Sequence, residues 1–328
     1  MHKRAFGQTG LQAGEVGLGC WQLGGSDWGD ISDAQGLAIL HAAVEKGVNF
    51  FDTADVYGGG RSESLIGRFL KESHAKVFVA TKLGRASDPG WPGNFTEKAV
   101  RAHTEASLQR LGMDAIDLTQ LHCVPPEVLR QGDVFEWLRT LRREGKIKHF
   151  GASVESMDEA AVCLDQPGLV SLQIIFNIFR QKPIDVLFER AKHQNVALIV
   201  RLPLASGLLA GKYTRETRFP EQDHRNYNRD GQAFNVGETF AGLPFATGVE
   251  LADALKPLVP EGMTLAQMAL RWCLDQDAVT VIIPGAKSVA MAEANAHVSD
   301  LPSLSPALHA TLRDFYASRV AEAIRGPY

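Results

Sequence analysis

Short apolar runs alternate with amphipathic stretches along almost the whole chain. The run at residues 197–202 is nearly continuous in apolar side chains, as is typical of a strand buried on both faces of a parallel sheet. The pattern predicts eight strands, over about residues 16–19, 48–52, 77–82, 115–122, 147–151, 169–176, 197–202 and 278–284. It predicts helices over about residues 32–46, 62–72, 96–111, 132–144, 184–194, 247–257, 264–275, 288–298 and 305–323, with a short one after Ser156.

Local signals mark several of the predicted helix ends. Ser32-x-x-Gln35, Ser156-x-x-Glu159 and Thr264-x-x-Gln267 match the capping-box pattern, and Gly47 stands where the first helix should stop. Residues 3–19 are predicted to form a short hairpin, turned at Gly10, that leads into the first strand.

Eight strand–helix alternations without a linker predict a (β/α)8 TIM barrel with an N-terminal β-hairpin and two extra helices, one before strand eight and one at the end. Residues 1–328 are expected to form a single domain. The alternative is an open, doubly wound sheet. Its glycine fingerprint would fall on Gly17-x-Gly19-x-x-Gln22, which lacks the third glycine.

Composition excludes several classes of function. The chain is 45% hydrophobic and 22% charged, which is ordinary for a globular protein. A net charge of −4 without a Lys/Arg run argues against nucleic-acid binding. No apolar run reaches the ~18 residues that span a bilayer, and the first residues lack a signal peptide's apolar core. The four cysteines are far apart, so we expect no disulfide framework, no metal site and a cytoplasmic location; they are Cys20, Cys123, Cys163 and Cys273.

Ionisable residues end three consecutive predicted strands. These residues are Asp52, Lys82 and His122, and Tyr57 lies in the loop after the second strand. Taken singly, such an Asp commonly caps a helix, such a Lys is a solvated rim charge, and such a His is a satisfied polar contact. Barrel active sites lie at the carboxyl ends of the strands, where neighbouring strands are ~4.8 Å apart. The three together therefore indicate a catalytic site.

The combined chemistry is acid–base catalysis by a phenol. A free tyrosine has a pKa near about 10, and a neighbouring lysine cation is expected to lower it. Asp52 would keep Lys82 charged and oriented, Tyr57 would exchange a proton with a carbonyl oxygen, and His122 would orient that carbonyl. None of these groups supplies hydride, so a nicotinamide cofactor is implied.

Two glycine-containing loops are candidates for binding the cofactor's phosphates. Residues 203–212 follow strand seven and residues 284–288 follow strand eight, which is the usual phosphate site of such barrels. Both could also be ordinary turns, because Gly and Ser favour turns. Lys212 and Lys287 in these loops favour the functional interpretation.

With these residues in place, the chain resembles the aldo-keto reductase family over nearly its whole length. The resemblance lies in the motifs Asn49–Gly58 with Ser62-Glu63, Ala80-Thr81-Lys82, Asp117–His122, Gly151-Ala152-Ser153, Gln173-x-x-Phe176-Asn177, Pro203–Lys212 and Ile283–Ala286. The Gly211-Lys212 and Pro284-Gly285-Ala286 forms are similar to the bacterial and potassium-channel-β-subunit-like branch.

The resemblance implies a barrel that binds NADP(H) in an extended pose across its carboxyl-terminal rim. It implies the catalytic tetrad Asp52, Tyr57, Lys82 and His122, with Tyr57 as proton donor. It places nicotinamide contacts on Ser153, Gln173 and Arg201. The other cofactor contacts it implies are Gly19, Trp21, Asp52, Pro203, Leu204, Ser206, Gly207, Leu208, Lys212, Pro284, Gly285, Ala286, Lys287, Met291 and Asn295.

Four positions depart from the family's pattern. Val154 replaces an asparagine beside the nicotinamide, and Arg201 replaces a stacking aromatic side chain, although a guanidinium can also stack. Met291 replaces a polar or basic residue, and Ala294 replaces the glutamate of a Glu-Asn pair. NADPH is still expected to be preferred because of Lys287, while NAD(H) remains possible.

The expected activity is reversible, NADPH-dependent reduction of an aldehyde or ketone to an alcohol. The substrate pocket is predicted to involve Trp21, Tyr57, Trp91 and His122, with residues 213–240 as a lid, although both tryptophans could instead be rim packing. The partner is a small-molecule carbonyl or sugar substrate. Two alternatives stay open, namely a cofactor-binding regulatory subunit with vestigial activity and a sugar or polyol dehydrogenase.

Overall fold

The apolar runs form eight parallel strands wrapped into a barrel. A computed structural model describes the backbone of residues 1–328 and every side chain except that of Ser26. An antiparallel hairpin comes first, with strands β1 (Lys3–Ala5) and β2 (Gln12–Gly14). The barrel strands are β3 (Leu18–Gly19), β4 (Phe50–Asp52), β5 (Phe78–Leu83), β6 (Ile116–His122), β7 (Ile147–Ser153), β8 (Leu169–Ile175), β9 (Ala197–Arg201) and β10 (Val279–Ile282).

Each barrel strand pairs in parallel with the next along the chain. Parallel bridges between Val16 and Ile282 and between Gly19 and Gly285 then join the first strand to the last. The prediction of a (β/α)8 barrel with an N-terminal hairpin is therefore confirmed, and the open doubly wound sheet is wrong.

Helices connect the strands on the outside of the barrel. They are α1 (Asp33–Glu45), α2 (Arg61–Ser73), α3 (Glu97–Leu111), α4 (Pro126–Gln131), α5 (Asp133–Arg143), α6 (Met157–Leu164), α7 (Pro183–Val186), α8 (Phe188–His193), α9 (His224–Tyr227), α10 (Phe245–Leu255), α11 (Leu265–Leu274), α12 (Val289–His297) and α13 (Pro306–Phe315). No helix among those that the structure describes is both long enough and apolar enough to cross a membrane.

The predicted capping boxes at Ser32 and Thr264 are confirmed. Each hydroxyl accepts a hydrogen bond from the backbone of the glutamine three residues on, at 3.2 Å, and each glutamine side chain accepts one from the cap residue's backbone. Such caps contribute about 0.5–2 kcal/mol each. The third box is only half formed, because Glu159 accepts from the backbone of Glu155 at 2.8 Å instead of from Ser156.

Three predicted helices differ from the observed ones. The helix predicted over 132–144 is preceded by α4, which the sequence reading missed and which starts at a proline. Gly132, at a φ of 86°, separates α4 from α5 because few other residues adopt that conformation. The helix predicted over 184–194 is split at Leu187, and the last helix loosens after Phe315.

The interior of the barrel is layered. Side chains of alternate residues point inward, so a strand's interior positions are two residues apart. The lower layer is apolar and includes Phe50, Ala80, Leu118 and Ile199. Two residues further along the same strands, the upper layer carries Asp52, Lys82, Gln120 and Arg201. On each of these strands, the interior side chains therefore change from apolar core to polar site over two residues.

The hairpin closes the lower end of the barrel. Phe6 is fully buried there, with its ring 5.2 Å from that of Phe50 and 5.6 Å from that of Phe78. Burying a phenylalanine stabilises a fold by about 1.5–3 kcal/mol. Apolar side chains fill the centre of this end of the barrel, and the cavity at the polar site opens at the opposite face.

Residues 213–243, here named the covering segment, lie over that opposite face. Phe240 is fully buried and packs against Phe219 and Phe245. Buried Arg180 donates hydrogen bonds to the carbonyls of Ala241 at 3.4 Å and Pro327 at 3.0 Å. The end of the covering segment is therefore part of the core, and only its more exposed earlier residues could act as the predicted lid.

Candidate active site

The barrel brings together the ionisable residues that were predicted at its strand ends. Lys82 forms an ion pair with Asp52 across neighbouring strands. Its ammonium also donates hydrogen bonds to the carbonyl of Thr53 at 2.8 Å and to the hydroxyl of Tyr57 at 3.1 Å. Lys82 is 1% exposed, so this cation is placed within the barrel and aimed at the phenol.

Two glutamine amides complete the surroundings of Asp52. Its second carboxylate oxygen accepts hydrogen bonds from Gln120 at 2.9 Å and from Gln173 at 2.7 Å. A buried ion pair is tolerated when further hydrogen bonds satisfy its remaining lone pairs. Gln120 was not predicted, although its place between Leu118 and His122 on one interior face was a usable signal.

The loop after β4 holds Tyr57 in place. Thr53 donates to the hydroxyl of Ser62, which donates to the carbonyl of Cys20, each at 2.8 Å. Gly58 has a φ of 62° and lies so close to Gly24 that no side chain would fit. The Tyr57 ring stacks on Trp21, with centroids 5.6 Å apart and planes 16° apart.

The protonation of this site differs from the sequence prediction. Burial raises the pKa of Tyr57 above its ordinary value, and the opposing effect of Lys82 does not overcome it. Burial alone would lower the pKa of Lys82, but Asp52 and Tyr57 leave it raised. The prediction of a lowered tyrosine pKa is therefore wrong. At neutral pH the phenol is protonated and the lysine is charged.

His122 lies next to Tyr57, and the centroids of the two rings are 6.0 Å apart in an edge-to-face arrangement. Burial, together with the charges of Arg85 and Lys82, holds the pKa of His122 well below its usual range. The imidazole is therefore neutral at neutral pH. It can orient a polar group in the cavity by hydrogen bonding without carrying charge.

A cavity of about 510 Å³ opens above Tyr57 and His122. Trp21 and Trp91, which were predicted to lie in the substrate pocket, both line this cavity, and Trp91 is 62% exposed. The other lining residues were not named individually from the sequence, although those after residue 213 fall in the predicted lid. They are Asp27, Val56, Gly84, Arg85, Ala86, Asn94, Cys123, Glu155, Tyr227, Ala233, Phe234, Asn235 and Glu238. Five of them belong to the covering segment, which therefore forms one wall of the cavity.

Part of the cavity wall is a cluster of four charged side chains, here named the ionic cluster: Arg85, Glu155, Arg201 and Glu238. Arg85 donates to Glu155 at 2.9 Å and to Glu238 at 2.8 Å, and Arg201 is 3.6 Å from Glu238. Burial and the neighbouring carboxylate raise the pKa of Glu155 to about 7. Burial also opposes ionisation of Glu238, but the two guanidinium groups hold its pKa well below its usual range.

The residues predicted to contact nicotinamide lie together at the ends of β7, β8 and β9. Ser153 pairs with Gln173 in the sheet, and their side-chain oxygens are 3.5 Å apart. Gln173 directs its amide nitrogen to Asp52, so it links the predicted nicotinamide contacts to the ion pair. Arg201 donates to the carbonyl of Val154 at 3.1 Å. This hydrogen bond fixes the guanidinium beside Val154, the residue that replaces the family's asparagine.

The loop after β9 includes Pro203, Leu204, Gly207, Leu208 and Lys212. Ser206, at a φ of 55°, donates to the carbonyl of Glu238 at 3.2 Å and accepts from the backbone of Phe240 at 3.1 Å. This hydroxyl, predicted to contact phosphate, therefore holds the covering segment in this structure. Leu208 is buried and Lys212 is exposed.

The loop after β10 packs against the start of the barrel. Gly285 lies against Gln22 without room for a side chain, and its carbonyl accepts from Asn295 at 3.2 Å. Ala286 is buried, whereas Met291 is 45% exposed on α12. Pro284 accepts a backbone hydrogen bond from Gly19 at 3.2 Å, so these predicted contacts form one continuous surface.

Lys287 has a cationic neighbour that was not predicted. Burial and the nearby Arg225 lower the pKa of Lys287. Arg225 is paired with Asp223, whereas Lys287 makes no ion pair with any residue that the structure describes. An incoming phosphate would therefore meet an unpaired ammonium beside a second positive charge.

Comparison with known proteins decides the family. The sequence profile described as "Aldo/keto reductase family" matches residues 15–317. The chain belongs to the aldo/keto reductase family. It is accordingly an oxidoreductase, and the resemblance stated from its motifs is confirmed.

Individual members of the family match over nearly full length. The aldo-keto reductase YhdN of Bacillus subtilis is 30% identical over 306 residues, covering 91% of this chain and 89% of that protein. A probable voltage-gated potassium channel subunit beta of Arabidopsis thaliana is 29% identical, covering 93% and 94%. The solved structure of glycerol dehydrogenase AKR11B4 from Gluconobacter oxydans is 28% identical, with a TM-score of 0.76 and coverage of 97% and 96%.

The holo form of aldo-keto reductase AKR11C1 from Bacillus halodurans superposes with a TM-score of 0.78 at 25% identity, covering 100% of this chain and 98% of that one. The two solved structures share the overall fold of this chain.

Proposed function

We propose that this aldo/keto reductase catalyses the reversible, NADPH-dependent reduction of an aldehyde or ketone to an alcohol, with Tyr57 as the proton donor. The observation that carries the proposal is the position of the Lys82 ammonium, which contacts both Asp52 and the Tyr57 hydroxyl. A buried phenol with a cation 3.1 Å from its oxygen is suited to proton exchange, because the cation stabilises the phenolate that donation leaves behind.

Several features of the barrel face that carries the polar site fit an extended, phosphate-bearing cofactor. Gln22 Oε1, Arg201 Nε and His224 Nε2 are buried polar atoms without a hydrogen-bond partner among the described residues. Unsatisfied buried polar atoms are costly in a folded protein and often await a ligand. Lys287, near Arg225, would receive a phosphate at the far end. When bound, the cofactor supplies hydride.

The chain's own residues supply binding, orientation and the proton. Ser153, Gln173 and Arg201 would hold the nicotinamide end, and Lys287 the 2′-phosphate. His122 and Tyr57 would hydrogen-bond to the carbonyl oxygen of the substrate, and Tyr57 would transfer its proton there. Lys82 then stabilises the phenolate, and Asp52 with its two glutamine partners keeps Lys82 in position.

The pH dependence should differ between the two directions. Reduction needs the protonated phenol, and oxidation needs the phenolate. Because burial raises the pKa of Tyr57, the phenol stays protonated well above neutral pH. We expect kcat for carbonyl reduction to be level from about pH 7 to about pH 9, while kcat for alcohol oxidation rises over that range. Measured pH profiles in both directions check this, and a reduction rate that falls steadily across it contradicts the assignment.

The cofactor preference tests the role of Lys287. A charge-assisted hydrogen bond contributes about 1.5–3 kcal/mol, so kcat/KM with NADPH should exceed that with NADH by about tenfold or more. Lys287→Met should remove most of this preference, whereas Lys98→Met, at an exposed position on α3, should keep it. Steady-state kinetics with both cofactors decide the point, and equal or better kcat/KM with NADH in the unaltered protein overturns it.

The proposed activity itself is tested by following NADPH oxidation with 4-nitrobenzaldehyde or methylglyoxal. Turnover supports the reductase. Tight NADPH binding without turnover of any carbonyl compound favours instead a cofactor-binding subunit, the role that the name of the Arabidopsis thaliana relative suggests. Faster turnover of polyols with NADP⁺ than of carbonyls with NADPH favours the oxidative direction, as the Gluconobacter oxydans relative's name suggests.

A further inference from the structure

The cavity above Tyr57 has two chemically different walls. One wall is aromatic and consists of Trp21, Tyr57 and Phe234, with Trp91 at the mouth. The other wall is polar and carries Arg85 and Glu155 of the ionic cluster, with Asn235 and Glu238 of the covering segment. Apolar pockets with a few polar groups are the general rule for small-molecule sites. Here Arg85 and two carboxylates line the pocket as well, with the Arg85 guanidinium 5.7 Å from the Phe234 ring.

Arg85 is held so that part of its guanidinium remains available. A single terminal nitrogen, Nη2, donates to both Glu155 and Glu238. Neither Nε nor Nη1 donates to any residue that the structure describes, and the side chain is 25% exposed to the cavity. The two carboxylates therefore orient the guanidinium, and its other donors have no partner among the described residues in a side chain that lines the cavity.

An apolar substrate is a poor occupant for this cavity. It would displace water from Arg85, Glu155 and Glu238 without replacing the lost hydrogen bonds, which is costly for ionised groups. A site built to hydrogen-bond hydroxyl groups can reject an analogue that lacks them by about 10⁴-fold. The polar wall therefore discriminates against simple alkyl aldehydes.

An anionic substrate is also a poor occupant. Glu238 stays ionised at neutral pH because two guanidinium groups lower its pKa, and Glu155 is ionised in part. Arg85 is thus already close to two carboxylates, at 2.8 and 2.9 Å, and these carboxylates offset the charges of Arg85 and Arg201, so the ionic cluster offers an anion little net attraction. A neutral molecule with several hydroxyl groups can accept from Arg85 and donate to the carboxylates at the same time.

We propose that Arg85, oriented by Glu155 and Glu238, determines substrate specificity, and that the cavity selects uncharged, hydroxylated aldehydes or ketones. Hydroxyl groups next to the reacting carbonyl contact the polar wall. The carbon chain lies against Trp21 and Phe234. The inference rests on the proposed reductase function and narrows its substrate class.

The test compares matched substrates with NADPH. D-glyceraldehyde and propanal have the same carbon skeleton and differ in two hydroxyl groups, and succinic semialdehyde provides an anionic probe. We expect kcat/KM for D-glyceraldehyde to exceed that for propanal by about 100-fold or more, and succinic semialdehyde to gain nothing over propanal. Equal values for D-glyceraldehyde and propanal, or a preference for the anion, overturn the inference while leaving the reductase function intact. Absence of NADPH oxidation with every substrate counts against the function itself.

Two variants test whether Arg85 determines the preference for D-glyceraldehyde over propanal. Arg85→Met keeps an unbranched side chain but removes the guanidinium and its donors, so the ratio of kcat/KM for D-glyceraldehyde to that for propanal should fall at least tenfold. Arg85→Lys keeps the charge and should give an intermediate ratio, which keeps the test decisive if the methionine variant does not fold. Arg143→Met, on the exposed side of α5, is the matched control and should keep the original ratio. An unchanged ratio in both Arg85 variants overturns the assignment.

Discussion

Replacing Tyr57 with phenylalanine should lower kcat for carbonyl reduction by about 10³-fold and leave NADPH binding nearly unchanged. General acid catalysis by a positioned side chain typically contributes about 10²–10⁴-fold. The substitution removes only the hydroxyl that Lys82 contacts at 3.1 Å, and the ring can still stack on Trp21. Steady-state kinetics and a fluorescence titration with NADPH measure the two quantities separately.

Tyr227→Phe is the matched control for this experiment. Tyr227 also lines the cavity, but its hydroxyl donates to Asp27 at 3.1 Å and has no hydrogen bond to the ion pair. We expect its kcat to fall by less than about tenfold. Comparable activity in the Tyr57→Phe and unaltered proteins would remove Tyr57 from the role of proton donor.

Lys82→Met should destabilise the fold by about 3–5 kcal/mol as well as abolish turnover. Removing one partner of a buried ion pair leaves the other charge uncompensated, and that is the usual cost. Asp52 and Lys82 are both almost completely buried, so water cannot replace the lost partner. Chemical denaturation measures the loss as a change in the free energy of unfolding.

The double variant Asp52→Asn with Lys82→Met separates stability from catalysis. Without either charge, the site loses its uncompensated carboxylate, and Gln120 and Gln173 can still hydrogen-bond to the asparagine. The double variant should therefore regain much of the stability that Lys82→Met loses, yet remain inactive. A double variant no more stable than the single one would contradict the ion-pair explanation.

The fold could be predicted from the sequence because its signals are local. Each strand appears as a short apolar run, and the capping boxes at Ser32 and Thr264 involve residues three apart. Eight repeats of the strand–helix alternation leave few possible folds other than a barrel. The missed helix α4 depends on a proline start and a glycine end only a few residues apart, which is too short a stretch to show a helical period.

The site was predictable only where topology alone brings residues together. Asp52, Lys82 and His122 lie at the carboxyl ends of consecutive strands, so the parallel order of the strands suffices to place them at one rim of the barrel. The ionic cluster could not be predicted in this way. Arg85 and Glu238 are 153 residues apart, and Glu238 reaches the cavity from a segment without hydrophobic period. The sign of the Tyr57 pKa shift likewise depends on burial, which the sequence does not reveal.

The apolar layer beneath the site, closed by Phe6, limits how Tyr57 can regain a proton after each turnover. Phe50, Phe78 and Leu118 fill the centre of the lower barrel with apolar side chains, whereas the cavity opens directly above Tyr57. The direct route for the replacement proton is therefore the same mouth through which product leaves. Proton resupply and product departure should then be linked, and viscosity and solvent deuterium should affect the same step of the cycle.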